Sequence, residues 1–268
     1  SMTNGFYPDN RAGEHTRQTV RPVALVTGAS YGIGAAVATG LASDGYDLAI
    51  FDIDTATLGA TRARVEQVGA RVAALPLDLR SQDSIETALA AAIERLGAVD
   101  ALVNNAGVPM PMPALDVTRA DWEKIMSVNL TGTFFMTQAI GRYLTKMKRP
   151  GAIVSVASSH GVVGAAGQTP YGVSKAAVMH MTRMLAIEWA EHGIRVNAVA
   201  PGKIETDSPA RQANQVDPEK RARMMARIPI GRFGSAEEVA GLIRYLLRPQ
   251  AAYITGQTVI IDGGTTTQ

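Results

Sequence analysis

The sequence predicts an α/β protein built on a doubly wound parallel sheet, with helices on both faces of the sheet. Along the 268 residues, seven short runs rich in Val, Ile, Leu and Ala alternate with longer segments of helical pattern. Alternating strands and helices are typical of parallel βαβ units. The runs are almost continuously apolar, as expected for strands that are covered on both faces.

Each element follows from its local pattern. The apolar runs predict strands at residues 23–27, 47–51, 71–76, 101–104, 152–156, 195–200 and 258–261. The segments between them predict helices at residues 32–44, 54–68, 81–96, 119–147, 171–191 and 236–247. No repeat, low-complexity linker or shift in composition marks a second domain, so we expect residues 21–268 to form a single domain.

Two segments depart from this alternation. Residues 1–20 are polar and too poor in apolar side chains to offset the entropy of ordering, so we expect a flexible tail. Residues 203–233 follow the sixth predicted strand and hold Pro209, Pro218 and Pro229 around a charged helical piece. A long segment at the carboxyl end of a strand is placed to cover a ligand. We therefore interpret residues 203–233 as a substrate lid, called the lid segment below.

The composition argues against several kinds of protein. Twenty-six Lys and Arg against 24 Asp and Glu give a net charge of +2, too balanced for a nucleic-acid or anionic membrane surface. The chain has no Cys, and its four His lack metal-ligand spacing, so neither a disulfide framework nor a metal site is expected. It shows neither a bilayer-spanning run nor a secretory signal, which favours a cytoplasmic protein.

A glycine-rich turn follows the first predicted strand. Glycines at positions 28, 32 and 34 remove side chains where a pyrophosphate would approach the backbone. The helix that follows supplies N–H donors and partial positive charge. Close packing of helix on strand would explain these glycines equally well, so the turn alone is weak evidence for a dinucleotide site.

An acidic residue ends the second predicted strand. Asp52 would accept hydrogen bonds from the adenosine ribose hydroxyls and repel a ribose 2′-phosphate. Neither Tyr31 nor Ile53 supplies an arginine for such a phosphate, so the sequence favours NAD over NADP. With Asp54 nearby, a helix-capping role for Asp52 stays open.

Further candidates for adenosine contacts end the third and fourth predicted strands. Carboxyl ends of parallel strands meet on the crevice side of such a sheet. Asp78 and Leu79 could contact the edge of the adenine. The run Asn104, Asn105, Ala106 and Gly107 could form the wall beside the adenosine.

One constellation suggests proton transfer. Tyr171 and Lys175 are four positions apart, and Ser158 lies thirteen residues before Tyr171. Residues four apart share a helix face, so the Lys175 cation can lie below the phenol and lower its pKa from about 10. Such a tyrosine is a usable acid and base, although the same spacing also occurs in ordinary amphipathic helices.

With these motifs in order, the chain resembles the short-chain dehydrogenase/reductase family over roughly residues 22–264. The shared motifs are the glycine turn, the Asn-Asn-Ala-Gly run, Asn129, Ser158, Tyr171 with Lys175, and Pro201-Gly202. This resemblance implies a Rossmann fold, a nicotinamide cofactor and hydride transfer between that cofactor and a secondary alcohol or ketone.

The resemblance also implies residue roles. Tyr171 would be the general acid and base, and Ser158 would hold the substrate oxygen. Lys175 would bind the nicotinamide ribose and lower the pKa of Tyr171, while Asn129 would hold a water for proton relay. Ser158 is preferred to Ser155 and Ser159 because its distance along the chain from Tyr171 matches the family. The cofactor contacts implied beyond those above are Gly28, Ser30, Tyr31, Gly32, Ile33, Gly34, Ile53, Pro201, Gly202, Ile204 and Thr206.

The substrate is specified less sharply than the chemistry. Contacts are expected from residues 109–113, from residues 160–169 and from the lid segment, whose apolar and small side chains suit a modest-sized carbonyl compound. His160 could touch the substrate or cap its turn, and the second role is favoured. Arg149 and His192 lie where a carrier-protein reductase often has basic residues, and only Arg149 matches.

Several functions remain open at this point. Asp52 favours an NAD-dependent alcohol or sugar dehydrogenase. A 3-oxoacyl-acyl-carrier-protein reductase is the alternative, and a non-catalytic dinucleotide sensor is a further one. The helices predicted at residues 119–147 and 171–191 carry more apolar surface than one core needs. Because the family pairs such helices between subunits, we expect a homotetramer, with a dimer as the alternative.

Overall fold

Seven parallel strands form the central sheet in the computed structural model, which describes residues 20–209 and 217–267. The predicted fold class is confirmed. Residues 1–19 of the expected tail and residues 210–216 of the lid segment lie outside the described ranges. The strands are β1 (Val23–Thr27), β2 (Asp47–Asp52), β3 (Val72–Pro76), β4 (Ala101–Asn104), β5 (Gly151–Val156), β6 (Ile194–Pro201), β7 (Ile204–Glu205), β8 (Gly234–Ser235) and β9 (Thr258–Ile261).

The central sheet has the strand order β3-β2-β1-β4-β5-β6-β9, and the short β7 and β8 pair separately. The strands predicted at residues 23–27, 101–104 and 258–261 match the observed bounds, and the other predicted strands differ from them by one residue at one or both ends. Apolar runs therefore located the sheet well, because these strands are buried on both faces.

The helices lie between the strands and cover both faces of the sheet. Their bounds are α1 (Gly32–Ser43), α2 (Gly59–Gln67), α3 (Gln82–Leu96), α4 (Arg119–Met126), α5 (Thr133–Lys146), α6 (Thr169–Trp189), α7 (Pro218–Ala226) and α8 (Ala236–Leu247). On one face, Leu41 of α1 and Ile243 of α8 belong to the same buried cluster. On the other face, Ile85 of α3, Ile140 of α5 and Leu185 of α6 belong to a second cluster.

The direction of winding reverses between β1 and β4, which are neighbours in the sheet. A crevice at the carboxyl ends of two such strands is the usual ligand site of an open α/β sheet. Here the two ends are linked by side chains. The Thr27 hydroxyl accepts hydrogen bonds from the backbone N–H groups of Asn105 and Ala106, both at 3.0 Å, and Asn105 Nδ2 donates to the Gly28 carbonyl at 2.9 Å.

The helix predicted over residues 119–147 is interrupted. A π-helical turn, Ser127–Gly132, separates α4 from α5, so the prediction of one continuous α-helix is wrong there. At the end of this turn, a Cβ on Gly132 would lie 2.5 Å from Leu79 Cβ. The turn therefore packs directly against the residue that follows Asp78 at the carboxyl end of the sheet.

No helix in residues 20–209 and 217–267 is long and apolar enough to cross a membrane. The same ranges hold no group of three His, Cys, Asp or Glu side chains arranged to bind a metal ion.

Candidate active site

Tyr171 and Lys175 lie on one face of α6, next to the carboxyl end of β5. The helix begins at Thr169, with Pro170 in its first turn, where a proline loses no hydrogen bond. Lys175 is 5 % exposed, and its Nζ lies 5.6 Å from the centre of the Tyr171 ring. The four-residue spacing thus brings the cation beside the phenol.

The Lys175 ammonium is held in an apolar interior. Its Nζ donates a hydrogen bond of 2.8 Å to the carbonyl of Val156, the last residue of β5. Burial disfavours the charged form and lowers the pKa of Lys175 from 10.5 to about 8. The group is therefore still mostly protonated at neutral pH, and its positive charge is poorly screened.

Ser158 lies in the turn that follows β5, in the same region. It is 8 % exposed, and its Oγ accepts a hydrogen bond of 3.1 Å from the backbone N–H of His160. Ser155 instead points into the core, where its hydroxyl accepts a hydrogen bond from Asn104 Nδ2 at 3.1 Å. This buried contact makes Ser155 unsuitable for a substrate and favours Ser158.

His160 joins this group through its ring as well as its backbone. The imidazole packs edge-on against the Tyr171 ring, with centroids 6.2 Å apart and planes at 86°. Burial, followed by the charge of Lys203, lowers the pKa of His160 and favours the neutral ring. His160 thus lies in the turn as expected, and it also borders the tyrosine.

Asn129 reaches the same place from the π-helical turn. Its Oδ1 accepts a hydrogen bond from Val108 N at 2.8 Å, and its Nδ2 donates to Val108 O at 3.0 Å and to Ser174 Oγ at 3.2 Å. A Cβ on Gly107 would lie 3.3 Å from both Asn129 Oδ1 and Lys175 Nζ. Gly107 therefore marks the point where Asn129 and Lys175 converge.

A cleft of about 370 Å³ opens over the carboxyl ends of β1 to β4. One wall depends on Gly28, which has φ +64°, and a Cβ there would lie 2.9 Å from Ala106 Cα. Only glycine suits this position without displacing the backbone. The predicted cofactor residues that line the cleft are Gly28, Tyr31, Asp52, Ile53, Asp78, Leu79, Asn105, Ala106 and Gly107.

The two acidic residues at the end of β2 and just after it have different partners. Asp54 caps the short 3-10 helix after β2 by accepting a hydrogen bond from Ala56 N at 2.9 Å. Asp52 borders the cleft, and its Oδ1 accepts a hydrogen bond from Ile53 N at 2.8 Å. The helix-capping role considered for Asp52 therefore belongs to Asp54.

Two cationic residues of the cleft escaped the sequence analysis. Arg80 binds both oxygens of Asp78, at 2.9 and 2.8 Å, and this contact lowers the pKa of Asp78 below 3.8. Lys124 of α4 also lines the cleft. Arg80 could have been predicted from the sequence, because it lies two residues after Asp78. Lys124 could not, because the sequence does not show which way its helix turns it.

The remaining predicted cofactor residues lie around the cleft and do not line it. Ser30 is 5 % exposed, and its Oγ lies 2.5 Å from Thr57 Oγ1. Ile33 packs against the core. At Gly34, a Cβ would lie 2.9 Å from the carbonyl carbon of Gly28, so this glycine lets α1 pack closely against the turn. These three residues therefore support the glycine turn but do not line the cleft.

The end of β6 holds the other predicted contacts. Pro201 ends the strand, and a Cβ on Gly202 would lie 2.8 Å from Asp262 Cβ. Ile204 in β7 is 5 % exposed and belongs to the core. Thr206 lies against the glycine turn, where a Cβ on Gly32 would be 3.0 Å from Thr206 Cγ2.

Comparison with known proteins relates this site to enzymes. The family model described as enoyl-(acyl carrier protein) reductase matches residues 28–266. A 3-oxoacyl-[acyl-carrier-protein] reductase of Thermotoga maritima is 40% identical over 243 residues, which are 90% of this chain and 96% of that protein. The 2-dehydro-3-deoxy-D-gluconate 5-dehydrogenase of Escherichia coli is 37% identical over 242 residues, 90% of this chain and 94% of that protein.

The chain belongs to the short-chain dehydrogenase/reductase family. A solved structure of the same type, a putative 2-deoxy-D-gluconate 3-dehydrogenase from Agrobacterium tumefaciens with bound NADP, superposes with a TM-score of 0.84. It is 33% identical and covers 92% of this chain and 97% of its own. As a short-chain dehydrogenase/reductase, the protein is an oxidoreductase that acts on CH–OH or keto groups with NAD or NADP.

Proposed function

We propose that the protein is an NAD-dependent dehydrogenase of a secondary alcohol or sugar. The observation that carries this proposal is the buried Lys175 ammonium beside the Tyr171 ring, next to Ser158 at the end of β5. A charge in the interior costs stability, and this one lies where it favours a phenolate, as charges retained at functional sites do.

In the proposed reaction, Ser158 donates a hydrogen bond to the substrate oxygen and fixes its position. Tyr171 takes the hydroxyl proton as the carbonyl forms, and the Lys175 charge stabilises the phenolate that accepts it. Lys175 and the residues at the end of β6 would hold the nicotinamide, and that group would supply the acceptor for the hydride of the carbinol carbon. Asn129 lies beside Lys175 at Gly107, where it would hold the water through which the proton leaves.

The preference for NAD rests on Asp52. Its carboxylate borders the cleft and is not used as a helix cap, so it is available to the ribose hydroxyls. The same charge would oppose a 2′-phosphate. Since the related Agrobacterium structure holds NADP, the preference of this chain has to be measured directly.

A carrier-protein reductase is the second candidate, because the Thermotoga relative has that activity in its name. Arg149, the basic residue considered for binding a carrier protein, makes a side-chain contact with Asp100. This contact raises the pKa of Arg149 and neutralises much of its field. The pairing leaves Arg149 poorly suited to an acidic partner and supports the dehydrogenase.

The proposal extends to the lid segment and to the oligomeric state of the enzyme. Residues 203–233 cover the substrate, and the enzyme works as a cytoplasmic homotetramer. The exposed side of α6 supports subunit pairing, since Val173, Met184 and Ile187 are 45, 50 and 78 % exposed. These residues recur at helical spacing and share one face of α6, with the exposed His180 between Val173 and Met184.

A substrate screen tests this function. Purified protein is incubated with a panel of secondary alcohols, polyols and sugar acids and with NAD or NADP, and the absorbance of the reduced cofactor is recorded. We expect turnover with at least one polyol or sugar acid and a higher kcat/KM with NAD. Activity confined to 3-oxoacyl thioesters with NADPH would favour the reductase. Tight cofactor binding without any turnover would favour a sensor.

A further inference from the structure

A side chain of the lid segment accepts a hydrogen bond from the N-terminus of α1. Within the described residues, the side chain of Tyr31 at the N-cap makes no capping hydrogen bond. Instead, the backbone N–H of Gly32 donates to Asp207 Oδ1 at 2.9 Å, across 175 residues of sequence. Thr206 packs on the same glycine, which leaves no room for a Cβ.

This contact lies where a dinucleotide needs positive potential. The N–H groups and partial charge at the start of α1 are the features that attract a pyrophosphate. A carboxylate placed there satisfies the same donors and carries the same sign of charge as the phosphates. Asp207 thus resembles a phosphate supplied by the protein itself.

The surroundings strengthen the negative field. The hollow beside Gly32 is lined by the carboxylates of Glu205, Asp207 and Glu237 and by one guanidinium, that of Arg64. Glu205 is in contact with Arg221 of α7, so its charge is largely compensated. Asp207 is exposed and sits on the backbone of the turn, which makes it the carboxylate best placed to oppose a phosphate.

We propose that Asp207 is an internal competitor for the pyrophosphate end of the dinucleotide site. Its carboxylate holds the base of the lid segment on the glycine turn and weakens cofactor binding, and a bound pyrophosphate displaces it. The inference rests on the proposed function, because it assumes that the glycine turn binds a dinucleotide. It makes Asp207 a positioning residue at the pyrophosphate end of the dinucleotide site.

The competition predicts tighter binding when the charge is removed. Asp207→Asn keeps the size of the side chain, and Asp207→Ser is a second variant with a shorter acceptor. We expect the Kd for NAD and for ADP to fall about twofold to tenfold, as for a charge at a helix terminus. The gain should shrink at high salt. The Kd for adenosine, which lacks the pyrophosphate, should stay unchanged.

The measurement is isothermal titration calorimetry on the full-length protein with NAD, ADP and adenosine at low and high salt. Glu219→Gln is the matched control, since it removes a carboxylate that is 84 % exposed on α7, within the same lid segment. Equal Kd values for wild type and both Asp207 variants would overturn the competition and leave the proposed function standing. Weaker binding of ADP by the variants would make Asp207 a clamp and also overturn it. If wild type bound neither NAD nor ADP, the proposed function would fail together with this inference.

Discussion

At the scale of single residues, burial of the charged Lys175 lowers the stability of the fold and at the same time supports the proposed proton transfer. A folded-state pKa of about 8 in place of 10.5 corresponds to a penalty of about 3 kcal/mol while the group is charged. Both the folded and the unfolded chain carry the proton at neutral pH, so the whole penalty applies there. The single hydrogen bond from Nζ to Val156 offsets only part of it.

This penalty should be visible in the pH dependence of stability. Above pH 8 the folded protein releases the Lys175 proton before the unfolded chain does, so the penalty fades toward pH 10.5. Relative to Lys175→Met, the free energy of unfolding of wild type should rise by about 2 kcal/mol between pH 7 and pH 9.5. Urea unfolding of both proteins measures it. A difference that does not change with pH would contradict the buried, titrating lysine.

The neighbouring acids after β2 allow a matched test of cofactor choice. Asp52 borders the cleft, whereas Asp54 caps the 3-10 helix. Asp52→Asn removes the charge that opposes a 2′-phosphate, so the ratio of kcat/KM for NADP to that for NAD should rise about tenfold or more. Asp54→Asn, two positions away, should leave that ratio unchanged. Equal shifts in both variants would show that Asp52 has no specific contact with the ribose.

At the scale of elements, the π-helical turn Ser127–Gly132 connects the catalytic and adenosine regions. It presents Asn129 to Val108 and packs Gly132 against Leu79. One extra residue in a helical turn re-aims the side chains that follow it, and such turns are frequent at functional sites. Displacing the turn should therefore affect cofactor binding as well as stability.

Two glycine variants isolate that effect. The Gly132 backbone is helical, with φ −63°, so the backbone itself accepts alanine and the nearest atoms that a Cβ would meet belong to Leu79. We expect Gly132→Ala to lower the free energy of unfolding by about 1–3 kcal/mol and to raise the Kd for NAD. Gly241→Ala in α8, where an added Cβ would meet no described atom within 4 Å apart from its chain neighbours and the backbone of its own helix, should instead stabilise the protein by about 0.5–1 kcal/mol. Thermal unfolding and cofactor titration report both outcomes, and a stabilised Gly132→Ala would refute the packing argument.

The elements also show where prediction from sequence stops. Strands of continuous apolar residues and the Tyr171–Lys175 spacing are local signals, and the structure agrees with them. The π-helical turn has no such local signal, and its Gly132 packs against Leu79, more than fifty residues away along the chain. The contact of Asp207 with Gly32 spans 175 residues and has no local signal at all.

At the scale of the whole molecule, the exposed apolar residues on one face of α6 predict subunit association. Ile187 is 78 % exposed, and a charge there would have to be buried on pairing. Wild type is expected to be a tetramer by light scattering, and Ile187→Glu should give smaller species. Val68→Glu, a 43 % exposed position at the end of α2, is the control that should leave the assembly intact. A monomeric wild type would contradict the proposed assembly.

The account as a whole depends on Tyr171 as the proton donor and acceptor of a hydride transfer. Its phenol is flanked by Lys175 and His160, and Phe at this position preserves the ring and its packing. The most direct test compares wild type and Tyr171→Phe for turnover with the best substrate of the screen and for the Kd of NAD. We expect turnover to fall by a factor of about a hundred to ten thousand, the usual share of acid–base catalysis, with cofactor binding nearly unchanged. Undiminished turnover in Tyr171→Phe would contradict the account.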